Sequence, residues 1–277
     1  MTITDIGGSV RLANGIMMPY LGLGVFNADE GHETIQAIHW ALEAGYRHID
    51  TASLYGNEKS VGEAIKTCGI PREEIFVTTK IWNTDQGYQS TKDAFSRSLE
   101  KLDIEYIDLY LIHWPVRGKF PETWEALEEI YSTKLVRAIG VSNFLQHHLK
   151  DLLDRKGIPP MVNQMEFHPY LVQNDLLDFC KKHHIQYEAW TPILKGEVNT
   201  IPLLRKIGEK YGKTAVQVTL RWDLQKDVVT IPKSVRKERI LANADIVDFE
   251  LTEEEVSAID ALDRRSRSGA DPDNFNF

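Results

Sequence analysis

Four side chains could act together on a carbonyl group: Asp50, Tyr55, Lys80 and His113. A free phenol titrates near pKa ~10 and is a poor proton donor at neutral pH. An ammonium beside it favours the phenolate and lowers that value. A carboxylate next to the lysine would keep it charged and in place, and an imidazole could hydrogen-bond a carbonyl oxygen and orient it. Such a set can deliver a proton to the oxygen while the carbon accepts a nucleophile. Singly, each residue has a plainer role: a cap or loop acid for Asp50, packing for Tyr55, a solvated strand end for Lys80, a structural histidine beside Trp114 for His113. Their shared position favours the joint reading. Asp50, Lys80 and His113 each end a short apolar run, and Tyr55 follows Asp50 by five residues.

The pattern recurs along the chain. Strand-like runs are expected at 20–24, 47–50, 75–80, 106–113, 136–142, 161–166, 185–190 and 228–233. Helical spacing is expected at 31–44, 57–67, 90–102, 121–132, 146–154, 174–183, 201–211, 214–226, 236–243 and 252–263, with Asn57 as a cap and a further helix start at Pro71. Asn14-Gly15 suggests a tight type I′ turn joining two short strands within 9–18. Strands alternating with helices predict an α/β fold, a (β/α)8 TIM barrel with an N-terminal β-hairpin and extra helices near the C-terminus. The 277 residues fit one such domain, spanning 1–277. In this architecture the C-terminal ends of all strands meet on one face, so residues distant in sequence converge.

Other residues share that face. Ser142, Asn143 and Gln164 could hydrogen-bond a carboxamide, or form a buried polar network among themselves. Trp190 offers a flat face to a planar ring, or simple packing. The stretch IPKSVRKERI places Lys233, Arg236, Lys237 and Arg239 within seven residues of a chain whose net charge is −9. Loops near strands seven and eight of such barrels often bind phosphate, which fixed cations complement. Gly22 and Gly24 would let backbone approach a ligand closely; GLGVFN lacks the third glycine of a dinucleotide fingerprint. His147-His148 and His183-His184 read as solvated helix faces.

The acidic balance argues against a broad nucleic-acid or anionic-membrane surface. No apolar run approaches bilayer length, and the first residues have neither a basic start nor an apolar core of signal length. Cys68 and Cys180 lack metal-type spacing and read as free thiols in a reducing compartment. A cytoplasmic, monomeric protein without a metal site is expected.

Taken whole, the chain resembles the aldo-keto reductases, above all their short bacterial and protozoan members. The matching stretches are NGIMMPYLGLGVF, GYRHIDTASLYGNEKSVGEAI, DLYLIHWP, RAIGVSNF, MVNQMEFHPY and IPKSVRKERI. The resemblance implies NADPH-dependent reduction of aldehydes and ketones, such as 2-oxoaldehydes or diketo sugars, in a barrel without a Rossmann domain. By position Tyr55 would be the general acid, with Lys80 lowering its pKa, Asp50 pairing with Lys80 and His113 orienting the carbonyl. Ser142, Asn143 and Gln164 would hold the nicotinamide carboxamide and Trp190 would stack on its ring. Lys233, Ser234 and Arg239 would bind the 2′-phosphate side, Asn243 would lie near the adenine, and Gly24, Thr191, Leu194 and Val235 would complete the cofactor site. Phe26, Trp82, His113 and Trp114 would line the substrate pocket.

Two departures stand out. The family commonly reads Ser-Pro-Leu-Gly where this chain has Thr191-Pro192-Ile193-Leu194, and Ala242 replaces an acid common before the adenine-side asparagine. The segment after His113 and the C-terminal tail are short, which predicts a more open pocket and broad substrate tolerance. Two other readings remain at this stage: an NADPH-binding sensor with little turnover, and a Schiff-base lyase acting through Lys80.

Overall fold

The structure, a computed structural model, describes Ile3 and residues 5–277. Part of the N-terminal segment judged for a targeting signal therefore lies outside the described residues. Strands β1 (Ser9–Arg11) and β2 (Met17–Pro19) form an antiparallel hairpin. Its turn differs from the expected type I′. Leu12 N donates to Ile16 O at 2.9 Å and Gly15 N to Leu12 O at 2.8 Å, and only Gly15, with φ 89°, enters the left-handed region. Asn14 instead donates through Nδ2 to Arg137 O at 2.9 Å, tying the hairpin to the barrel wall.

Eight parallel strands follow: β3 (Gly22–Gly24), β4 (His48–Asp50), β5 (Phe76–Ile81), β6 (Ile107–Ile112), β7 (Val136–Ser142), β8 (Val162–Glu166), β9 (Gln186–Trp190) and β10 (Val229–Thr230). They pair in strict chain order from β3 to β10. Parallel bridges Leu21–Thr230 and Gly24–Lys233 bring the last strand against the first and close the barrel. β10 is shorter than its apolar run because Pro232 has no N–H for the ladder. The seam also explains the two glycines expected to serve a ligand. A Cβ at Gly22 would lie 2.8 Å from the His48 ring, and one at Gly24 would lie 3.0 Å from Ile231 O. What approaches these backbones is the neighbouring strand β4 and the segment after β10 across the seam.

The helices between strands are α1 (His32–Glu43), α2 (Glu58–Thr67), α3 (Tyr88–Leu102), α4 (Phe120–Ser132), α5 (Gln146–Leu153) and α6 (Asn174–Lys182). Two more, α7 (Pro202–Tyr211) and α8 (Ala215–Gln225), separate β9 from β10, and α9 (Lys237–Ala244) and α10 (Glu253–Asp260) follow. Pro71 opens only a 3-10 turn, Arg72–Glu74. Apolar spacing buries one face of each helix, as Ala37, Ile38, Ala41 and Leu42 do on α1. β5 and β6 are buried at every position, as parallel strands covered on both faces must be.

Candidate active site

Asp50 ends β4, and the chain turns at once through the 3-10 segment Ser53–Tyr55, which Gly56 terminates with φ 69°. Two side chains pin this turn. Ser53 Oγ donates to Lys80 O at 2.9 Å. Asn57 takes the expected N-cap position of α2 but makes no capping hydrogen bond. It is fully buried, donates to Val25 O at 2.9 Å and Ala28 O at 3.2 Å, and accepts from Thr51 Oγ1 at 2.7 Å. Tyr55 is thereby tied to the loop after β3 and, through Ser53, to β5.

Lys80 is wholly buried, and its Nζ donates to Asp50 Oδ1 at 2.6 Å and Thr51 O at 2.9 Å. The ammonium lies 5.2 Å from the Tyr55 ring centre. His113 meets the Tyr55 ring edge-on at 5.8 Å and Trp82 at 5.1 Å. The four residues expected to act together are therefore neighbours at the barrel mouth.

Their electrostatics follow from burial. Desolvation pulls the Lys80 ammonium down, but the Asp50 carboxylate and the Tyr55 phenol outweigh it and leave its pKa above 10.5. Burial and the Lys80 charge hold His113 well below 6.5, so its ring is neutral at neutral pH. For Tyr55 the balance differs from the expectation. Burial raises the phenol above 10, and Lys80 only opposes that rise.

A second layer was not anticipated. Gln164 Nε2 donates to Asp50 Oδ2 and to Glu188 Oε2, both at 2.8 Å. Burial, reinforced by the Asp50 charge, pushes Glu188 up to about 8. His48 Nε2 lies 3.7 Å from Glu188 Oε1, and burial lowers its pKa to about 3. His48, Asp50 and Glu188 are close enough to share an ion, but a Lys80 cation already occupies Asp50 Oδ1. The available signal for Glu188 was an acid inside the strand-like run IQYEAW.

Ser142, Asn143 and Gln164 form a connected network, the alternative that the sequence left open. Ser142 Oγ donates to Gln164 O at 2.9 Å. Asn143, at φ 64°, donates through Nδ2 to His113 O at 3.0 Å and accepts from Trp190 Nε1 at 2.9 Å. The asparagine thus fixes both the histidine backbone and the indole. Above Trp190 lies Gly269, where a Cβ would come within 2.4 Å of the ring. Ser268 Oγ donates to Glu166 Oε1 at 2.6 Å and holds the tail there.

Beside this mouth is a cleft of about 630 Å³ lined by Lys195, Lys233, Ser234, Arg236, Arg239 and Asn243, with Val235 and Ala242 among its other walls. Among the described residues no acidic side chain lines it. Among the described residues none of its four cations is in an ion pair, and Lys233 Nζ reaches only Asn27 O at 3.1 Å. Lys237, expected with this group, is exposed and does not line the cleft. Lys195 was missed because it belongs to the altered loop after Trp190. There Thr191 (φ 54°), Leu194 (φ 49°) and Lys195 (φ 55°) all hold left-handed backbone. Leu194 thus adopts the conformation that glycine would favour at this position, at a cost of about 1–2 kcal/mol.

The pocket side holds the expected aromatics and two more. Phe26 is half exposed and 5.0 Å from Tyr55. The tail stacks Phe277 on Trp82 at 5.7 Å and sets Phe275 5.1 Å from Trp114. The wall is therefore covered by the tail where a more open rim was expected. His148 also departs from its expected solvated face: its Nδ1 accepts from Leu145 N at 3.2 Å at the start of α5.

Known proteins resemble this chain in sequence and in fold. A sequence model described as "Aldo/keto reductase family" matches residues 12–264. Glyoxal reductase of Bacillus subtilis (strain 168) is 52% identical over 274 residues, covering 99% of each chain. The 9,11-endoperoxide prostaglandin H2 reductase of Trypanosoma cruzi (strain CL Brener) is 55% identical over 269 residues, covering 96% of this chain and 95% of that one. A mutant of Gox0644 solved in complex with NADPH superposes with a TM-score of 0.93 at 42% identity, covering 97% of this chain and 98% of that one.

Proposed function

Because the chain belongs to the aldo/keto reductase family, we propose that it reduces aldehydes and ketones, 2-oxoaldehydes and similar small carbonyl compounds among them, to alcohols with NADPH, and that Tyr55 is the proton donor. The observation that carries this reading is the buried Lys80–Asp50 pair beneath the Tyr55 ring, with neutral His113 beside it. The relatives' names point the same way: one is a glyoxal reductase, and one solved neighbour holds NADPH.

The residues present fit that cofactor. Four cations with no ion pair among the described residues suit a phosphate-rich ligand, and the lone 2′-phosphate of NADPH gives them a dianionic target that NADH lacks. Trp190, oriented by Asn143, offers a ring face, and the Gln164 amide, its N–H groups donated to the Asp50 and Glu188 side chains, keeps Oε1 as an acceptor. When bound, NADPH supplies the hydride. The protein's part is to hold and polarise the carbonyl. Neutral His113 can donate to the carbonyl oxygen, and the Tyr55 hydroxyl can donate and then transfer its proton to it. Lys80 stabilises the phenolate left behind, and Asp50 keeps Lys80 charged. A phenol raised by burial stays protonated until the oxygen gains charge, which suits a donor at neutral pH.

The Schiff-base alternative requires a neutral amine. A Lys80 held charged by Asp50 is unsuited to it. We further read residues 1–277 as one domain and the protein as a cytoplasmic monomer that takes small molecules as partners, with neither nucleic acid nor membrane. The free thiols Cys68 and Cys180 and the acidic balance support that reading. Among the described residues no helix is long and apolar enough to cross a membrane.

The test is loss of reduced-nicotinamide absorbance with methylglyoxal, phenylglyoxal, a nitrobenzaldehyde and a sugar ketone, using NADPH and NADH in parallel. Carbonyl-dependent oxidation faster with NADPH is expected. Quenching of tryptophan fluorescence by NADPH without turnover on any carbonyl would favour a sensor instead.

A further inference from the structure

The tail that covers the pocket is held from outside the barrel. Asp271 and Asn274 close a tight turn, with Asn274 N donating to Asp271 O at 2.9 Å and Asp273 N to Asp271 Oδ1 at 3.0 Å. The turn presents Asp273 to the first turn of α5. There His147 Nε2 lies 2.9 Å, and His148 Nε2 3.4 Å, from the same Asp273 Oδ1. Two residues later Phe275 reaches Trp114, and four residues later Phe277 stacks on Trp82. Asn83 Nδ2 closes the far end by donating to Phe277 O at 3.0 Å.

Two histidines and a carboxylate could suggest a metal site. Hydrogen bonding on His148 argues otherwise. Its Nδ1 already accepts the Leu145 N–H, so the neutral ring must carry its proton on Nε2. That nitrogen is then a donor to Asp273 and has no lone pair for a cation. Phe120 and Phe144 pack edge-on against the ring at 5.9 and 5.7 Å and fix its direction.

We propose that His147 and His148 act through Asp273 as positioning residues, latching the tail so that Phe275 and Phe277 form a wall that favours carbonyl substrates bearing a flat aromatic group. The proposal rests on the reductase reading. The ring stack it maintains is nearly parallel, at 4° between Phe277 and Trp82, and about half of Phe277 stays exposed and available to a ligand. Stacked or edge-on rings supply binding beyond their buried area. A wall of this kind therefore acts on KM and leaves the chemical step alone.

Phenylglyoxal and methylglyoxal share a reacting 2-oxoaldehyde and differ in ring against methyl. Asp273→Ala is expected to raise KM for phenylglyoxal by about 2- to 10-fold, with kcat, KM for methylglyoxal and NADPH affinity by tryptophan fluorescence unchanged. Asp273→Asn keeps the acceptor for His148 and should restore most of the loss. Hydrogen exchange over residues 271–277 should quicken in Asp273→Ala and not in Asp273→Asn. Equal effects on both substrates, or unaltered exchange, overturn the latch. Calorimetric binding of zinc by the wild type, lost in Asp273→Ala, overturns it in favour of a metal site. A wild type inactive on both compounds counts against the reductase reading, and the exchange comparison then still decides whether the latch exists.

Discussion

Asp50 and Asp108 are both buried carboxylates on barrel strands, each paired with a cation, yet they stand at opposite ends of the barrel and do different things. Asp108 lies near the start of β6. Its two oxygens take Arg72 Nη2 and Arg137 Nη1, each at 2.7 Å, and Val77 N at 2.9 Å. Both guanidinium groups also lie over the Tyr106 ring, at 4.1 and 5.6 Å. Both carboxylate oxygens are taken, and nothing of Asp108 remains for a ligand. Asp50 ends β4 at the mouth, and its partner Lys80 points its charge at a phenol. Beside it stands a neutral histidine whose Nδ1 has no hydrogen-bond partner among the described residues. A barrel floor gains from closing every polar valence; a barrel mouth must keep some open, and keep them dry enough to be strong.

The largest expected separation between the two ends is kinetic. Tyr55→Phe should lower kcat by about 10²- to 10⁴-fold while NADPH still quenches tryptophan fluorescence and the denaturation midpoint barely moves. An unchanged kcat would remove Tyr55 from the role of acid. The converse is Asp108→Ala, which strands two guanidinium groups. It should cost about 3–5 kcal/mol of stability by denaturant titration, with kcat/KM of the folded protein little changed. If activity falls and stability does not, the contrast between floor and mouth is wrong.

A smaller effect is expected in the cation cleft. Arg239→Ala should weaken NADPH by about 1.5–3 kcal/mol, leave NADH nearly untouched, and do so less at high salt. Equal weakening of both nucleotides would place the 2′-phosphate elsewhere. The last expected effect, read as a slope with pH, concerns Glu188. Its folded pKa is raised from 4.5 to about 8, so between those values the native state binds more protons than the unfolded chain. Stability then falls as pH rises through that window. Glu188→Gln removes the dependence, so its stability relative to the wild type should climb with pH over the same range. A constant difference would mean that Glu188 is ionised in the folded protein.

Much of this was readable along the chain because a parallel barrel turns order into place. Asp50, Lys80 and His113 were legible as strand-end residues, and Lys233, Arg236 and Arg239 as a basic cluster in an acidic protein. The misread details share one cause: a residue's local preference was overruled by a distant partner. Asn57 suits a helix cap, but Thr51 Oγ1 took its Oδ1 while Val25 O and Ala28 O fixed its amide nitrogen. Asn14 suits a type I′ turn, but Arg137 O drew it aside. Gly22 and Gly24 suit a ligand loop, but the barrel seam needed the room.

By itself, then, the sequence determined the alternation of strands and helices, and with it the end of the barrel where the acid, base and cations gather. Period and spacing are local properties, and local physics sets them. Only the tertiary structure decided that burial outweighs Lys80 at the Tyr55 phenol, that Glu188 and Gln164 lie beneath Asp50, and that Phe275 and Phe277 return to wall the pocket. Those outcomes depend on which groups lose water together and on contacts between residues as far apart as Asn83 and Phe277, and no pattern along the chain encodes either.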